Sequence, residues 1–579
     1  MDYLELARAY DKIEGSAKRL YKTKVIADLL KKTPEKDLEA VLLLLKGRVF
    51  PDYDSREIGM SSKLVLKSIS VVTGFSDKEL NDKWRDIGDL GRVAEELVGK
   101  KKQGTLFQEK LSVREVHKNL QKMPSLEGHG SVDQKVKLVA NLLSSASGLE
   151  ARYIVRTVLQ ELRVGVAEGT LRDAIAWAYI EGISVNYDDK KQSINPSNRE
   201  TYNEVIDTLQ SVIDKTNDFT YAASMAKQGI SSLKKVKMHL GKPLKVMLAQ
   251  KSEGVLDGFE TVGKPAAIEY KLDGFRMQIH KDKDRVSIFT RRLEDVTGQF
   301  PEVQRFVNER VSAESCILDC EAVGFDPKTK EYKPFQHISQ RIKRKYDIES
   351  LAEKLPVEVN VFDLLYLNGE EVIQKPFRER RELAESVIKN KERCLVLIKQ
   401  IISDDEKEAS KFYDESLKLG NEGVMFKNLD SKYKPGSRVG SMVKLKPSMD
   451  ELDLVVTGAE WGKGKRSGWL TSFTVSCKKG SEFLEIGKVG TGLKEKKEEG
   501  LSFEELTELL KPLVEKQEGR DVKVEPKIVL SLRFEEIQRS PSYSSGFALR
   551  FPRVVALRDD KPLSEINTLD DVEEAFYGQ

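Results

Sequence analysis

The period of the hydrophobic pattern changes part-way along this chain, and that change limits the fold more than any single motif does. Through residues 1 to about 225, apolar side chains recur at three- and four-residue spacing, as in Tyr3 to Ile13, Val25 to Leu30 and Leu38 to Leu45, which predicts packed helices. From about 236 to 447, short alternating runs take over. Among them are AAIEYK, FRMQIH, RVSIFT, CILDCEAVGF and VNVFDLLYL, interleaved with helical stretches such as FRERRELAESVIK. After Lys446-Pro447-Ser448, further short strands with Gly-rich turns run to about 558, with one helix expected near 503 to 516. A chain of 579 residues also exceeds the roughly 250 to 300 residues that one hydrophobic core sustains. The expectation is a multidomain protein: an all-α region over 1–225, an α/β region over 226–447 and a small β-barrel over 448–579. The polar stretch 188 to 198 reads as a loop within the helical part.

Charge narrows the function. With 97 Lys and Arg against 94 Asp and Glu, the net charge of +3 argues against a protein that coats nucleic acid by bulk charge, while leaving local basic faces open. Cys316, Cys320, Cys394 and Cys477 are too few for a disulfide framework and too scattered for a zinc site. His117, His129, His239, His280 and His337 lack metal-ligand spacing and receive no role. No run approaches the roughly 20 apolar residues of a membrane span, and MDYLELARAYDKIEG reads as an amphipathic helix rather than a signal peptide, so the expected location is cytoplasmic.

The most informative segment is Glu269-Tyr-Lys-Leu-Asp-Gly-Phe-Arg276. Asp273-Gly274 lies between two alternating runs and reads as a hairpin turn, leaving Lys271 at a strand end on the face opposite Tyr270. An amine with a pKa near 10.4 becomes a nucleophile at neutral pH only with help from burial or neighbouring cations, and Arg276 is close in sequence. Taken alone, the octapeptide reads more readily as an ordinary hairpin with an exposed lysine. Downstream, Leu318-Asp-Cys-Glu321 and Glu422-Gly-Val-Met-Phe-Lys427 each place carboxylates among apolar residues, which is costly unless they are paired or hold a metal. Tyr433-Lys-Pro-Gly-Ser-Arg438 and Lys444-Leu-Lys446 add cations. A nucleophilic lysine, carboxylates for Mg²⁺ and phosphate-binding cations together make a nucleotidyl-transfer set.

The ordered series resembles a known family, the ATP-dependent DNA ligases of the archaeal and eukaryotic replicative type, over nearly the whole chain. Its blocks are Lys271-Leu-Asp-Gly, Thr290-Arg-Arg-Leu-Glu-Asp-Val-Thr297, Asp319-Cys-Glu321, Phe362-Asp-Leu-Leu-Tyr366, Glu422-Gly-Val-Met-Phe-Lys427, Lys444-Leu-Lys446, and Ala548-Leu-Arg-Phe-Pro-Arg553 with Arg558-Asp-Asp-Lys561. Ala151-Arg-Tyr-Ile-Val-Arg-Thr157 and Leu162-Arg-Val-Gly-Val-Ala-Glu168 resemble the family's DNA-binding helical domain.

The resemblance implies a helical DNA-binding domain, an α/β nucleotidyltransferase (adenylation) domain and a C-terminal OB-fold barrel, working with ATP and Mg²⁺ on nicked duplex DNA in replication, repair, recombination and cell division. It implies that Lys271 takes AMP from ATP, that AMP passes to the 5′-phosphate of a nick, and that the 3′-hydroxyl then displaces it. By the same resemblance Glu269 reads the adenine amino group and Phe362 stacks on the base. Arg276, Arg291, Arg438 and Lys444, with Lys446 beside them, contact ribose and phosphates; Glu321 and Glu422 support the metal; and Arg558 and Lys561 orient the pyrophosphate. Three positions depart from the family pattern: Cys320 replaces a common Gly, Met442 a common Trp and Val246 a common Pro. Cys320 suggests sensitivity to thiol reagents.

Arg152, Arg156 and Arg163 are spaced four and seven apart, so a continuous helix would place them on one stripe able to track a phosphate backbone; a solvated face balanced by Glu161 is the alternative. The run Arg341-Ile-Lys-Arg-Lys345 reads more readily as a solvated face than as a DNA contact. Gln103-Gly-Thr-Leu-Phe107, with Gln103, Leu106 and Phe107 as anchors, resembles a sliding-clamp-binding peptide, with plain loop packing as the alternative. The expected enzyme is a monomer without membrane contact. Two other readings stand beside it. One is a different covalent nucleotidyltransferase, an RNA ligase or capping guanylyltransferase, against which the long helical region speaks. The other is a non-catalytic DNA-binding or clamp-bound scaffold, which would have lost Lys271, Glu321 or Glu422.

Overall fold

Cooperative burial of one face per helix sets the N-terminal architecture. In the helix Tyr3–Glu14, Tyr3, Leu6, Ala7, Tyr10 and Ile13 are buried, the three- and four-residue rhythm of an amphipathic helix. The computed structural model describes residues 1–579 except 52, 53, 55, 101–109, 129, 184, 189, 190, 192, 334, 343, 345, 448–450, 464, 465, 496–500 and 579. Caps mark the helix ends. Asn198 accepts a hydrogen bond from the Thr201 N–H at 3.1 Å to begin the helix Arg199–Thr216, and Asn217, at φ 49°, closes it in the left-handed conformation that asparagine tolerates. The expected loop at 188–198 is instead partly strand, because Val185–Asp188 and Ser193–Pro196 pair as an antiparallel ribbon. Among the described residues, no helix is long and apolar enough to cross a membrane.

The chain divides into two compact units. The first comprises Met1–Ser61, Leu106–Leu138 and Arg156–Pro447; the second comprises Ser62–Thr105, Val139–Val155 and Ser448–Gln579.

Beyond its helices and the two-stranded ribbon, the first unit contains two larger sheets. A five-stranded sheet uses β1 (Leu248–Ser252), β2 (Ala266–Lys271), β7 (Gln400–Ser403), β8 (Gly423–Asn428) and β9 (Arg438–Leu445), in the order β7-β2-β8-β9-β1. A seven-stranded sheet is built on β3 (Phe275–Asp282), β4 (Arg285–Thr290), β5 (Ser315–Phe325) and β6 (Val357–Leu367), with β5 between β3 and β6 and short strands at its margins. Alternation sorts their faces. Ile268, Tyr270, Val424, Phe426, Val443 and Leu445 join one apolar core, while Met277, Ile279, Leu318, Cys320, Ala322, Val359 and Val361 join another.

The hairpin expected at Asp273-Gly274 does not form. β2 and β3 lie in different sheets, so the turn carries the chain from one sheet to the other. Gly274 passes so close to β5 that a Cβ there would stand 2.4 Å from the Ala322 carbonyl oxygen, a distance that excludes any side chain.

In the second unit, the seven strands Leu452–Trp461, Leu470–Lys479, Glu482–Val489, Val514–Glu518, Asp521–Val524, Val529–Arg533 and Arg553–Leu557 form one sheet around a core including Leu454, Val456, Phe473, Val475, Ile486, Leu506 and Leu532. The helix expected near 503–516 spans Phe503–Leu510, because Val514 onward is strand.

Candidate active site

Lys271 is the last residue of β2, and its face of the sheet is polar because its neighbours Tyr270 and Ile268 point into the core. Directly across the strands, Gly423 pairs with Lys271, Met425 with both Glu269 and Lys444, and Gln400 with Glu269. One face therefore gathers Glu269, Lys271, Lys427 and Lys444, with Lys446 just beyond β9. Gly423 permits the close crossing. Its φ is 135°, and a Cβ there would stand 2.1 Å from the Leu445 carbonyl oxygen. The crossing lets the Glu422 N–H donate to the Lys271 carbonyl at 2.8 Å, which fixes Glu422 against the end of β2.

The Lys271 Nζ lies 2.5 Å from Glu422 Oε2, and Lys446 Nζ reaches the same oxygen at 2.8 Å. Burial works against ionisation of Glu422, but Lys271 and then Lys446 outweigh it and hold its carboxyl down at about 2. Glu321, on β5, behaves oppositely. Burial pushes it up to about 7, against the pull of Lys271 and Arg276, with Glu422 and Asp319 adding to the rise. Among the described residues the Glu321 side chain makes no hydrogen bond or ion pair, so the site holds one carboxylate contacted by two ammonium groups and one with no cation in contact.

Arg276 stands opposite Glu321 in the β3–β5 register. Its guanidinium donates to Asp319 through Nε at 2.8 Å and Nη2 at 2.5 Å, to the Met247 carbonyl at 2.8 Å and to the Tyr433 hydroxyl at 3.2 Å, while Tyr433 donates to Asp319 at 2.8 Å. Burial opposes the charge of Arg276, and Asp319 and Tyr433 overcome it, so the guanidinium stays protonated. Phe362 lies between the two sheets' cations, with Arg276 5.2 Å and Lys427 5.0 Å from its ring centre. Glu269, 1% exposed, is bound by Lys427 at 2.5 Å and Gln400 at 2.8 Å. Arg291 and Arg438 are exposed at the end of β4 and the start of β9. In the second unit, Arg558 and Lys561 converge on Asp453 Oδ2 at 2.8 and 2.6 Å.

A family model described as the ATP dependent DNA ligase domain matches residues 246–446, flanked by models for the DNA ligase N terminus over 2–176 and the ATP dependent DNA ligase C terminal region over 466–561. A protein named DNA ligase from Nanoarchaeum equitans is 47% identical over 584 residues, covering 100% of this chain and 99% of that one. The chain belongs to the ATP-dependent DNA ligases. The DNA ligase of Thermococcus fumicolans is 41% identical over all of this chain and 98% of its own. A solved structure described as Pmar-Lig_PreS3 covers 96% of this chain and 99% of its own at a TM-score of 0.58 and 16% identity, so the fold is shared along the length. The ligase architecture of three domains, with a helical N-terminal region and a mostly sheet C-terminal part, holds for this chain.

Several local expectations for this ligase need correction. The arginine stripe does not form, because the helix ends at Val158 and Gln160 and Arg163 take positive φ. Arg152 is buried beside Glu95 at 3.4 Å, Arg156 is buried in a two-pronged pair with Glu14 at 2.7 and 3.2 Å, and Arg163 pairs with Glu161. Arg341 is no solvated cation. It is 1% exposed, 2.6 Å from Glu302 and 4.4 Å from the Phe300 ring centre. Cys320 points into the apolar core, where burial pushes its thiol well above the ordinary range, so the expected thiol sensitivity loses its basis. Gln103, Leu106 and Phe107 lie outside the described residues, as do Lys343, Lys345 and His129. Lys427, Asp319, Tyr433 and Gln400 are functional neighbours that no motif singles out. The signal for Lys427 was present in its alternation with Val424 and Phe426.

Proposed function

We propose that this ATP-dependent DNA ligase seals nicks through Lys271, and the observation that carries the assignment is the Lys271–Glu422–Lys446 cluster at the mouth of the β2–β8 crossing. The Lys271 amine must lose a proton before attack. Glu422, which Lys446 also contacts, lies within reach of that amine and orients it. Lys271 Nζ then bonds to the α-phosphorus of ATP as the bond to pyrophosphate breaks. AMP passes from nitrogen to the 5′-phosphate oxygen of a nick, and the 3′-hydroxyl oxygen bonds to that phosphorus as AMP leaves. Glu269 and Phe362 are proposed to receive the adenine, and Arg276, Arg291, Arg438 and Lys444 the ribose and phosphates. Arg276 is already oriented by Asp319, Tyr433 and the Met247 carbonyl.

Glu321 and Glu422 are the residues that would hold Mg²⁺, whose charge would offset repulsion between the triphosphate and the site's anions. The donor set fits. Mg²⁺ is commonly held by one or two carboxylates plus substrate phosphates, and the buried Glu321 carboxylate makes no hydrogen bond or ion pair among the described residues.

We read the C-terminal part as an OB-fold barrel over 448–579. The support is the strand Leu452–Trp461, which pairs with Val529–Arg533 along its first half and Asp521–Val524 along its second, as a strand shared around a barrel must. Arg558 and Lys561, held together by Asp453, are proposed to orient the pyrophosphate. The helical DNA-binding domain is taken as 1–225 and the adenylation domain as 226–447. A cytoplasmic monomer that meets a sliding clamp through Gln103, Leu106 and Phe107 completes the reading.

The test is incubation with Mg²⁺ and ATP labelled on the α-phosphate, followed by denaturing electrophoresis and a nicked-duplex chase. The protein should become labelled and lose its label to nicked DNA. Label on Lys271→Ala would refute the nucleophile, and label from GTP alone would favour a capping enzyme.

A further inference from the structure

Glu269 is two residues before Lys271 on the same face of β2, and the carboxylate is 1% exposed. Lys427 is itself 4% exposed. Its ammonium lies 2.5 Å from Glu269 Oε2, within 5.0 Å of the Phe362 ring centre and 4.6 Å of Phe377, and it donates to the Phe362 carbonyl at 3.3 Å. On the other side, Gln400 is the direct cross-strand partner of Glu269, and its Nε2 donates to Oε1 at 2.8 Å. Each carboxylate oxygen thus has one fixed donor. An ionised carboxylate offers about four acceptor positions in all, so positions remain for a ligand.

We propose that Lys427 and Gln400 are positioning residues that set nucleotide selectivity by holding the Glu269 carboxylate in one orientation, with its oxygens aimed as acceptors at the purine 6-position. The inference rests on the reading of Glu269 as the residue that meets the base. A 6-amino group, as in ATP, donates to such an acceptor. A 6-oxo group, as in GTP or ITP, brings its own lone pairs against a carboxylate and leaves both sides unpaired in a buried place, where discrimination is strongest. Lys427 anchors Oε2 in the 2.5 Å ion pair, and without that anchor the carboxylate is free to turn away from the base edge. Gln400 fixes which way the carboxylate turns.

The test is self-labelling of the full chain at Lys271 with ATP and with ITP, which carries oxo for amino at position 6 and a proton on the adjoining N1, with kcat and KM measured for each. Wild type should strongly prefer ATP. Lys427→Met and Gln400→Leu should each lower the ATP-to-ITP ratio of kcat/KM by about tenfold or more, mainly through KM. A merely structural role lowers both nucleotides alike, and an unchanged ratio in the two variants would overturn the proposal. Glu269→Gln separates the two layers. If it shifts the ratio while the other two variants do not, the base-reading stands and this proposal falls; if it leaves the ratio unchanged, the base-reading falls as well.

Lys427→Met leaves a buried carboxylate without its cation and risks misfolding, so Lys427→Met/Glu269→Gln, which removes both charges together, is measured alongside. Its ratio should equal that of Glu269→Gln alone, because Lys427 acts only through Glu269. Additive losses would overturn the proposal.

Discussion

Lys271 Nζ and Lys446 Nζ approach one oxygen, Glu422 Oε2, at 2.5 and 2.8 Å. The shared oxygen ties both lysines to one anchor at the end of β2, so Glu422 is what separates the two cations. Glu422→Gln should therefore leave Lys271 beside Lys446 with no anion between them. That variant should self-label more slowly by at least about tenfold with Mg²⁺ present, since a proposed metal carboxylate is also lost. A rate equal to wild type would remove Glu422 from the reaction.

Acid should expose the same cluster. The folded pKa of Glu422, about 2, lies below its ordinary 4.5, so its contribution is fully present above about pH 4.5 and is lost as the pH falls toward 2. The difference corresponds to an order of 3 kcal/mol at most. Denaturant midpoints measured from pH 6 down to 3 should fall less steeply for Glu422→Gln than for wild type. Equal slopes would show that the two lysines do not stabilise the carboxylate.

Glu321 has the opposite sign. Its folded pKa, about 7, exceeds 4.5, so the ionised form costs stability as pH rises from about 4.5 to 7. Without divalent metal at pH 8, Glu321→Gln should melt higher than wild type, while adding Mg²⁺ and ATP should stabilise wild type more than the variant. A variant melting lower without metal would mean that Glu321 has a protein partner in solution.

The Arg276–Asp319–Tyr433 group predicts a graded series. Asp319→Asn breaks a buried ion pair and should cost about 3 to 5 kcal/mol, whereas Tyr433→Phe removes single hydrogen bonds and should cost about 1 to 2 kcal/mol. Both should raise the KM for ATP, since each releases Arg276. A normal KM in Tyr433→Phe would mean that Asp319 and the Met247 carbonyl suffice to orient the guanidinium.

For the helical arginines, Arg156→Ala should destabilise the fold by about 3 kcal/mol or more, because it leaves Glu14 facing an emptied buried position. The slope of nick affinity against salt should change little, since a buried, paired guanidinium releases no counterion. A slope lowered by about one without loss of stability would restore Arg156 as a phosphate contact.

What the sequence revealed follows from how local each determinant is. Strand alternation around Ile268, Glu269, Tyr270 and Lys271 assigns faces from neighbouring residues alone, so the placement of Lys271 was legible. The Asp273-Gly274 turn was not. Two alternating runs carry no record of which sheet each joins, and the deciding contact is between Gly274 and the distant Ala322 carbonyl. The arginine stripe failed for a related reason. Nothing between Arg156 and Arg163 signals a helix stop by composition, yet the backbone turns at Gln160 and Arg163. Lys427 and Gln400 gain their meaning only when β8 and β7 flank β2, which brings both to a glutamate far upstream.

The four cysteines, Cys316, Cys320, Cys394 and Cys477, are all buried. The native protein is therefore a dark background for thiol chemistry. A single cysteine introduced at an exposed position such as Glu382 would accept a maleimide dye while the native four stay silent, so DNA binding can be followed by fluorescence without first stripping the enzyme of its own sulfur.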